Sequence, residues 1–236
     1  MDEPIIISGK DIGALALNAF CPRCFWIRMR CNRKLPYQIF PGIFSSIDSF
    51  TKKVTNIHYE KNLSIPKWLR PFDVVKPVKS PHYSKFYIID ETTNIKLWGT
   101  PDEVFQRKDG SFFIVDYKTA KYTESQDDLL PLYEVQLNAY AYIGNRNQFN
   151  PVSGLGLVYY EPQTDLTSSN LDSILLVDGF HLPFRGKLHA LPPNPDGIIS
   201  PLLQKVRTIV DSVKSPDRKS NCKDCELVDQ LALYLR

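Results

Sequence analysis

The sequence predicts a mixed α/β domain, and three observations carry that reading. Helical periodicity marks both ends of the chain. Four short β-rich runs follow one another between residues 85 and 118. A long helical pattern comes next, then further strands, then a last helix. Helices interleaved with strands in this way need layers of helix packed on sheet.

Each element has its own signal. Residues 8–20 read as a helix: Ser8 can cap it, and Ile12, Leu15, Ala16, Ala19 and Phe20 fall on one face. It runs into "CPRCFWIRMRC". Residues 46–61 form a second helix, with Ile47, Phe50, Val54 and Ile57 at spacings of three and four; His58 joins that stripe and is expected to face inward. Residues 63–85 are rich in proline and read as connection with short extended pieces. "KFYIID", "NIKLWGTP", "DEVFQR" and "SFFIVDYK" read as successive strands, the last two joined by "KDG". "DDLLPLYEVQLNAYAYI" is a helix with Pro131 near its first turn. "VSGLGLVYYEP" and "DSILLVDGFHL" are strands, residues 183–200 a Pro- and Gly-rich loop, and "PLLQKVRTIVDSVK" a helix leading to "CKDC".

Composition sets limits. The chain has 236 residues, 43% of them hydrophobic and 23% charged, which suits a single domain with a sizeable core. No run is long and apolar enough to cross a membrane. "MDEPIIISGK" lacks a basic stretch followed by an apolar core, which points to an intracellular, cytoplasmic protein. The net charge of +3 permits a polyanionic partner without requiring one. The five cysteines, Cys21, Cys24, Cys31, Cys222 and Cys225, are an odd number and argue against a disulfide framework.

The chemistry concentrates where "FFIVDYKTA" ends. Asp116 and Lys118 are two residues apart and share one face of a strand. Asp102 begins the preceding strand. Its place depends on the hairpin. With Asp109-Gly110 as a two-residue turn, Asp102 faces Tyr117, and the two aspartates point to opposite faces. With Lys108-Asp109-Gly110 as a three-residue loop and Gly110 left-handed, Asp102 is opposite Asp116, with Cβ atoms about 5 Å apart. Both registers are legal from the sequence. In the second, the paired carboxylates call for a cation, and a hard divalent ion such as Mg²⁺ or Mn²⁺ fits oxygen ligands. Lys118 on the same face could orient or polarise a bound water, a combination suited to phosphodiester hydrolysis.

"GTPDEV", "FFIVDYKTA" and "EVQLNAYAYI", in that order over residues 99–143, resemble the PD-(D/E)XK nuclease superfamily, and in particular its RecB-like branch, which includes CRISPR-associated exonucleases. The resemblance implies a restriction-endonuclease-like mixed central sheet flanked by helices. It implies that Asp102 and Asp116 hold the metal with the Tyr117 carbonyl. It makes Lys118 the catalytic lysine and Gln136 and Tyr140 the helix motif, which at i and i+4 share one face. Relatives with added cysteines carry a histidine or glutamate on an early helix beside the metal, for which His58 is the candidate. The implied activity is a Mg²⁺- or Mn²⁺-dependent deoxyribonuclease, exonuclease-like on single-stranded DNA or DNA ends. With no G-x-x-x-x-G-K-[ST] motif in the chain, unwinding would come from a protein partner. The competing reading is a non-catalytic binding module that keeps the fold.

"CPRC" and "CKDC" give four thiolates, Cys21, Cys24, Cys222 and Cys225, enough for a tetrahedral Zn²⁺ or an iron–sulfur cluster. Such a site would clasp residues 1–35 to residues 215–236 within one domain spanning 1–236. The RecB-like resemblance favours a [4Fe–4S] cluster. The two-plus-two spacing departs from that branch's commoner one-plus-three arrangement and keeps zinc open. Cys31 is spare.

Overall fold

The computed structural model describes residues 3–33, 41–122 and 128–234. The predicted helix start at Asp127 lies outside these residues, as do residues 1, 2, 34, 35, 235 and 236 of the two clasped ends.

Two sheets carry the molecule. In the smaller, β1 (Ile5–Ser8) pairs in parallel with β4 (Ile95–Trp98), which pairs antiparallel with β3 (Tyr87–Asp90). The larger sheet contains β2 (Lys76–Val78), β5 (Glu103–Gln106), β6 (Phe112–Lys118), β7 (Val152–Pro162) and β10 (Phe184–Leu191). Its order is β10-β7-β6-β5-β2, with β6 and β7 parallel and the other neighbours antiparallel. The mixed α/β architecture expected from the sequence is therefore the one observed. Helix α4 (Leu130–Arg146) lies in the β6-to-β7 connection, as a parallel pair requires.

The N-terminal helix is shorter than its periodicity suggests. Ser8 caps α1 (Gly9–Gly13) in a capping box with Asp11, a 3₁₀ turn follows at residues 14–16, and Leu17 is extended. Helix α2 (Pro22–Arg30) then starts afresh after Cys21.

Helix α3 (Gly42–Asn62) exists, but its predicted apolar stripe is not its most buried face. Phe50 is 63% exposed and Ile57 58%, whereas Thr51 and Thr55 are buried. The reason is the surface beneath: α3 meets polar groups on the sheet, and the Thr55 hydroxyl lies 3.2 Å from the Tyr117 hydroxyl.

Two regions near the C-terminus also differ. The apolar run "DSILLVDGFHL" forms only a small exposed hairpin, β8 (Leu175–Leu176) with β9 (Gly179–Phe180). The stretch expected to be loop supplies β10 instead. Its side chains alternate between half-buried and exposed along much of its length, the pattern of an edge strand with one wet face. Helix α5 (Pro195–Asp211) begins earlier than predicted, with Pro195 in its first turn. Helix α6 (Lys223–Tyr234) ends the described chain.

Buried side chains fill both faces of the large sheet. Ile114, Val104, Leu155 and Leu157 pack with α4 on one face. On the other, Phe105, Phe113, Val115 and Val158 pack with Leu69 and Phe72. β6 therefore runs through the core and ends where its alternation brings charges to the α4 face.

Candidate functional site

The β5–β6 hairpin decides whether a site exists. Its connection is the three-residue loop 108–110, with Gly110 at φ +85°. The Arg107 N–H donates to the Ser111 carbonyl at 2.8 Å. The Asp109 side chain fixes the turn by accepting from the Ser111 N–H at 2.9 Å and its hydroxyl at 2.6 Å. The register runs from Gln106 opposite Phe112 to Glu103 opposite Val115. Continued by one residue, it sets Asp102 opposite Asp116. The alternative register, with Asp102 against Tyr117, does not form. Asp102 Oδ2 also accepts the Tyr117 N–H at 2.8 Å, so the side chain extends the ladder past the last strand pair.

Asp116 is 3% exposed. Lys118 ion-pairs with its Oδ2. From α4, Gln136 Nε2 donates to Asp116 Oδ1 at 3.3 Å and to the Tyr140 hydroxyl at 2.7 Å. Gln136 Oε1 accepts from Lys118 Nζ at 3.4 Å. One amide thus contacts the acid, the lysine and the phenol together. The Lys118 ammonium also lies 4.1 Å from the Tyr133 ring centroid. Tyr140 sits so close to the loop before β5 that a Cβ on Gly99 would stand 2.5 Å from its Cε1. Asp102, Asp116, Lys118, Gln136 and Tyr140, the residues marked by the motif, are therefore gathered at one end of β6.

His58 does not join them. Its ring lies against Trp68, 6.4 Å between centroids, and its Nδ1 is 3.3 Å from the Asn62 amide. Of the stripe that was expected to carry it inward, Phe50 and Ile57 are exposed and Ile47, Val54 and His58 are only half-buried. What α3 sends to the site is Lys52, whose Nζ is 2.8 Å from Asp102 Oδ1 and 2.7 Å from Asp48 Oδ2. Asn56, a turn further, donates to Glu103 Oε2 at 3.3 Å. Neither Lys52 nor Glu103 was singled out from the sequence. The signal for Lys52 was present as a second stripe on α3, Asp48, Lys52, Thr55 and Asn56, polar where a core-facing stripe should be apolar.

The electrostatics follow from burial. Desolvation, reinforced by the charge of Asp102, pushes Asp116 up to about 6, against the pull of Lys118. Burial pushes Glu103 up to about 7, opposed by its bond from Asn56. Burial works against the Lys52 ammonium, but Asp102 and Asp48 outweigh it and hold the group above its ordinary value. Burial moves the Tyr140 phenol well above its usual range, so it stays protonated. The donor set Asp102 and Asp116 is hard oxygen, the chemistry that suits Mg²⁺ or Mn²⁺.

The second constellation joins the chain ends. Cys21 occupies the N-cap position of α2, with Cys24 in that helix's first turn. Cys222 directly precedes α6, with Cys225 in its first turn. The four sulfurs lie within 4.8 Å of one another. Burial opposes ionisation of Cys21, but N–H groups of Lys219 and Cys24 and the neighbouring thiols outweigh it and bring it down to about 6. Burial pushes Cys225 up to about 11 and Cys24 above the usual thiol range. Four thiol sulfurs this close to one another could hold a metal. Cys31 is exposed and is not one of the four. The clasp has supports of its own: a two-pronged Arg23–Asp229 pair at 2.6 and 3.1 Å, and Trp26 Nε1 donating to the Ser212 carbonyl at 2.9 Å.

Among the described residues, no helix is long and apolar enough to cross a membrane. No curated protein matches the sequence. A solved structure titled "Crystal structure of SSO0001" aligns over 92% of this chain and 81% of its own, at 12% identity and a TM-score of 0.42. The family described as the PD-(D/E)XK nuclease superfamily matches residues 45–230, a span that holds the whole β5–β6–α4 constellation. By that match over most of its length, the chain belongs to the PD-(D/E)XK nuclease superfamily.

Proposed function

We propose that the chain is a Mg²⁺- or Mn²⁺-dependent deoxyribonuclease that acts exonucleolytically on single-stranded DNA or DNA ends. The observation that carries this reading is the hairpin register. It sets Asp102 opposite Asp116 and leaves Lys118 one step further along the same face. Asp102 and Asp116, with the carbonyl of Tyr117, are the groups that would hold the ion. When bound, such an ion supplies Lewis acidity and a hydroxide-like water at neutral pH.

The side chains do the rest. Lys118 presents a cation where the attacked phosphate would lie and orients the incoming water. Gln136 fixes Lys118 and Asp116 relative to each other, because its two N–H groups and its oxygen are all engaged. Tyr140, protonated and buried, receives one of those N–H groups and so sets which way the amide points. Lys52 brings a second cation from α3. The acids and lysines of the site are suited to phosphate and metal, which fits cutting without sequence preference. Unwinding of a duplex would fall to a partner protein.

The test uses end-labelled single- and double-stranded DNA and a matched RNA, each with Mg²⁺, Mn²⁺ or chelator. The expected result is metal-dependent DNA cleavage that starts from ends and falls about 10²–10⁴-fold in Lys118→Ala, with DNA binding retained. Binding without cleavage of any substrate by the wild-type protein would overturn the catalytic reading in favour of a binding module.

A further inference from the structure

The geometry points to a single four-coordinate zinc ion at the four cysteines, in place of the [4Fe–4S] cluster that the RecB-like resemblance implied. The sulfur spacing carries this. Cys21 and Cys225 sulfurs are 3.6 Å apart, Cys24 and Cys222 3.5 Å, and Cys24 and Cys225 3.3 Å. Zinc–thiolate bonds of about 2.3 Å in a tetrahedron set neighbouring sulfurs about 3.8 Å apart. These three distances come within about 0.5 Å of that value, and all four sulfurs lie within 4.8 Å of one another. A cubane gives every thiolate its own iron, so two thiolates are separated by two outward bonds and an iron–iron edge. That demands sulfurs spread apart, opposite to what the site presents, and the four residues do not fit it.

The backbone agrees. Both C-x-x-C pairs are built alike, each beginning just before a helix and closing in its first turn. Two equivalent hooks delivering two sulfurs each suit one shared centre. The Lys219 N–H donates to Cys21 Sγ at 3.3 Å, an outer contact that orients the ligand. An all-thiolate set without an open position is the composition of a closed structural zinc site. The ion would fasten α2 to α6, and its binding would release the thiol protons to solvent. This inference stands apart from the nuclease reading.

The test is the metal content of protein expressed with both iron and zinc in the medium and purified without oxygen. The expected result is about one zinc per chain, no acid-labile sulfide and a colourless solution. Iron at a comparable level, with or without sulfide, overturns it. Because removing a buried cysteine can prevent folding, a second measurement uses the half-buried ligand Cys222 and the spare Cys31. In competition with a chelating dye, Cys222→Ser loses zinc affinity by more than the roughly 10–100-fold typical of losing an outer-shell contact, while Cys31→Ser matches wild type. Equal affinities of Cys222→Ser and wild type overturn the assignment. Cobalt(II) taken up by the metal-stripped protein gives the intense visible bands of a tetrahedral thiolate site; weak octahedral bands overturn it.

Discussion

Replacing Glu103 by Gln isolates the cost of a buried carboxylate beside the site. Glu103 is 4% exposed and pushed from 4.5 to about 7, chiefly by burial. Its folded value lies above its unfolded value, so the native state holds the proton more tightly between those limits. Stability from this group is therefore full below about pH 4.5, falls as pH rises, and is gone above about pH 7. A shift of this size, at about 1.4 kcal/mol per pKa unit, corresponds to about 3 kcal/mol. Gln keeps the shape and can still accept from Asn56, but cannot ionise. Glu103→Gln should thus be more stable than wild type by about 3 kcal/mol at pH 8 and nearly equal to it near pH 4.5. The assay is urea unfolding followed by circular dichroism, in chelator, at several pH values. A difference that stays constant with pH, or is absent at pH 8, refutes the reasoning. If the gain is found, the carboxylate is destabilising at neutral pH, the cost seen when a residue serves activity above stability.

Two further outcomes follow from contacts at the same end of β6. Gly99→Ala places a methyl 2.5 Å from Tyr140 Cε1 and must displace the ring. The expected cost is about 1–3 kcal/mol in stability, with kcat falling more than KM changes because Gln136 loses its anchor; thermal unfolding and cleavage kinetics that both match wild type would contradict it. Lys52→Met removes a cation 2.8 Å from Asp102 and should tighten Mn²⁺ binding about tenfold in calorimetry without nucleic acid. Weaker Mn²⁺ binding in that variant would show that Lys52 supports the ion's ligands.

The sequence made the β5–β6–α4 segment legible because chemistry and periodicity coincide there. An apolar run ending in Asp-x-Lys has few other readings, and Gln136 with Tyr140 shares a helix face by spacing alone. It left the hairpin register open, since both turns suit Asp109-Gly110 and only the folded chain selects one. The C-x-x-C pairs were legible as a joint site, but their spacing along the chain says nothing of sulfur-to-sulfur distance, which separates an ion from a cluster. The face of α3 was misread because hydrophobic periodicity assumes an apolar surface below, and this helix meets Tyr117 and Glu103. The strand at 184–191 was missed because half-burial at an edge leaves a weak alternation, which Gly186 and the neighbouring prolines obscure. Strand β1 was not read as a strand, although its three successive isoleucines carry a β-branched signal.

The contact between Gly99 and the Tyr140 ring has a consequence for how this sequence can vary. The two positions are 41 apart in the chain, yet they share one volume. A lineage that keeps tyrosine on α4 is confined to glycine three residues before the first aspartate. One that shortens the α4 side chain is released from that confinement and can place alanine or serine there. Among homologues, a larger residue at the first position should arrive together with a smaller one at the second, so that the glycine of "GTPD" is inherited as the partner of a tyrosine.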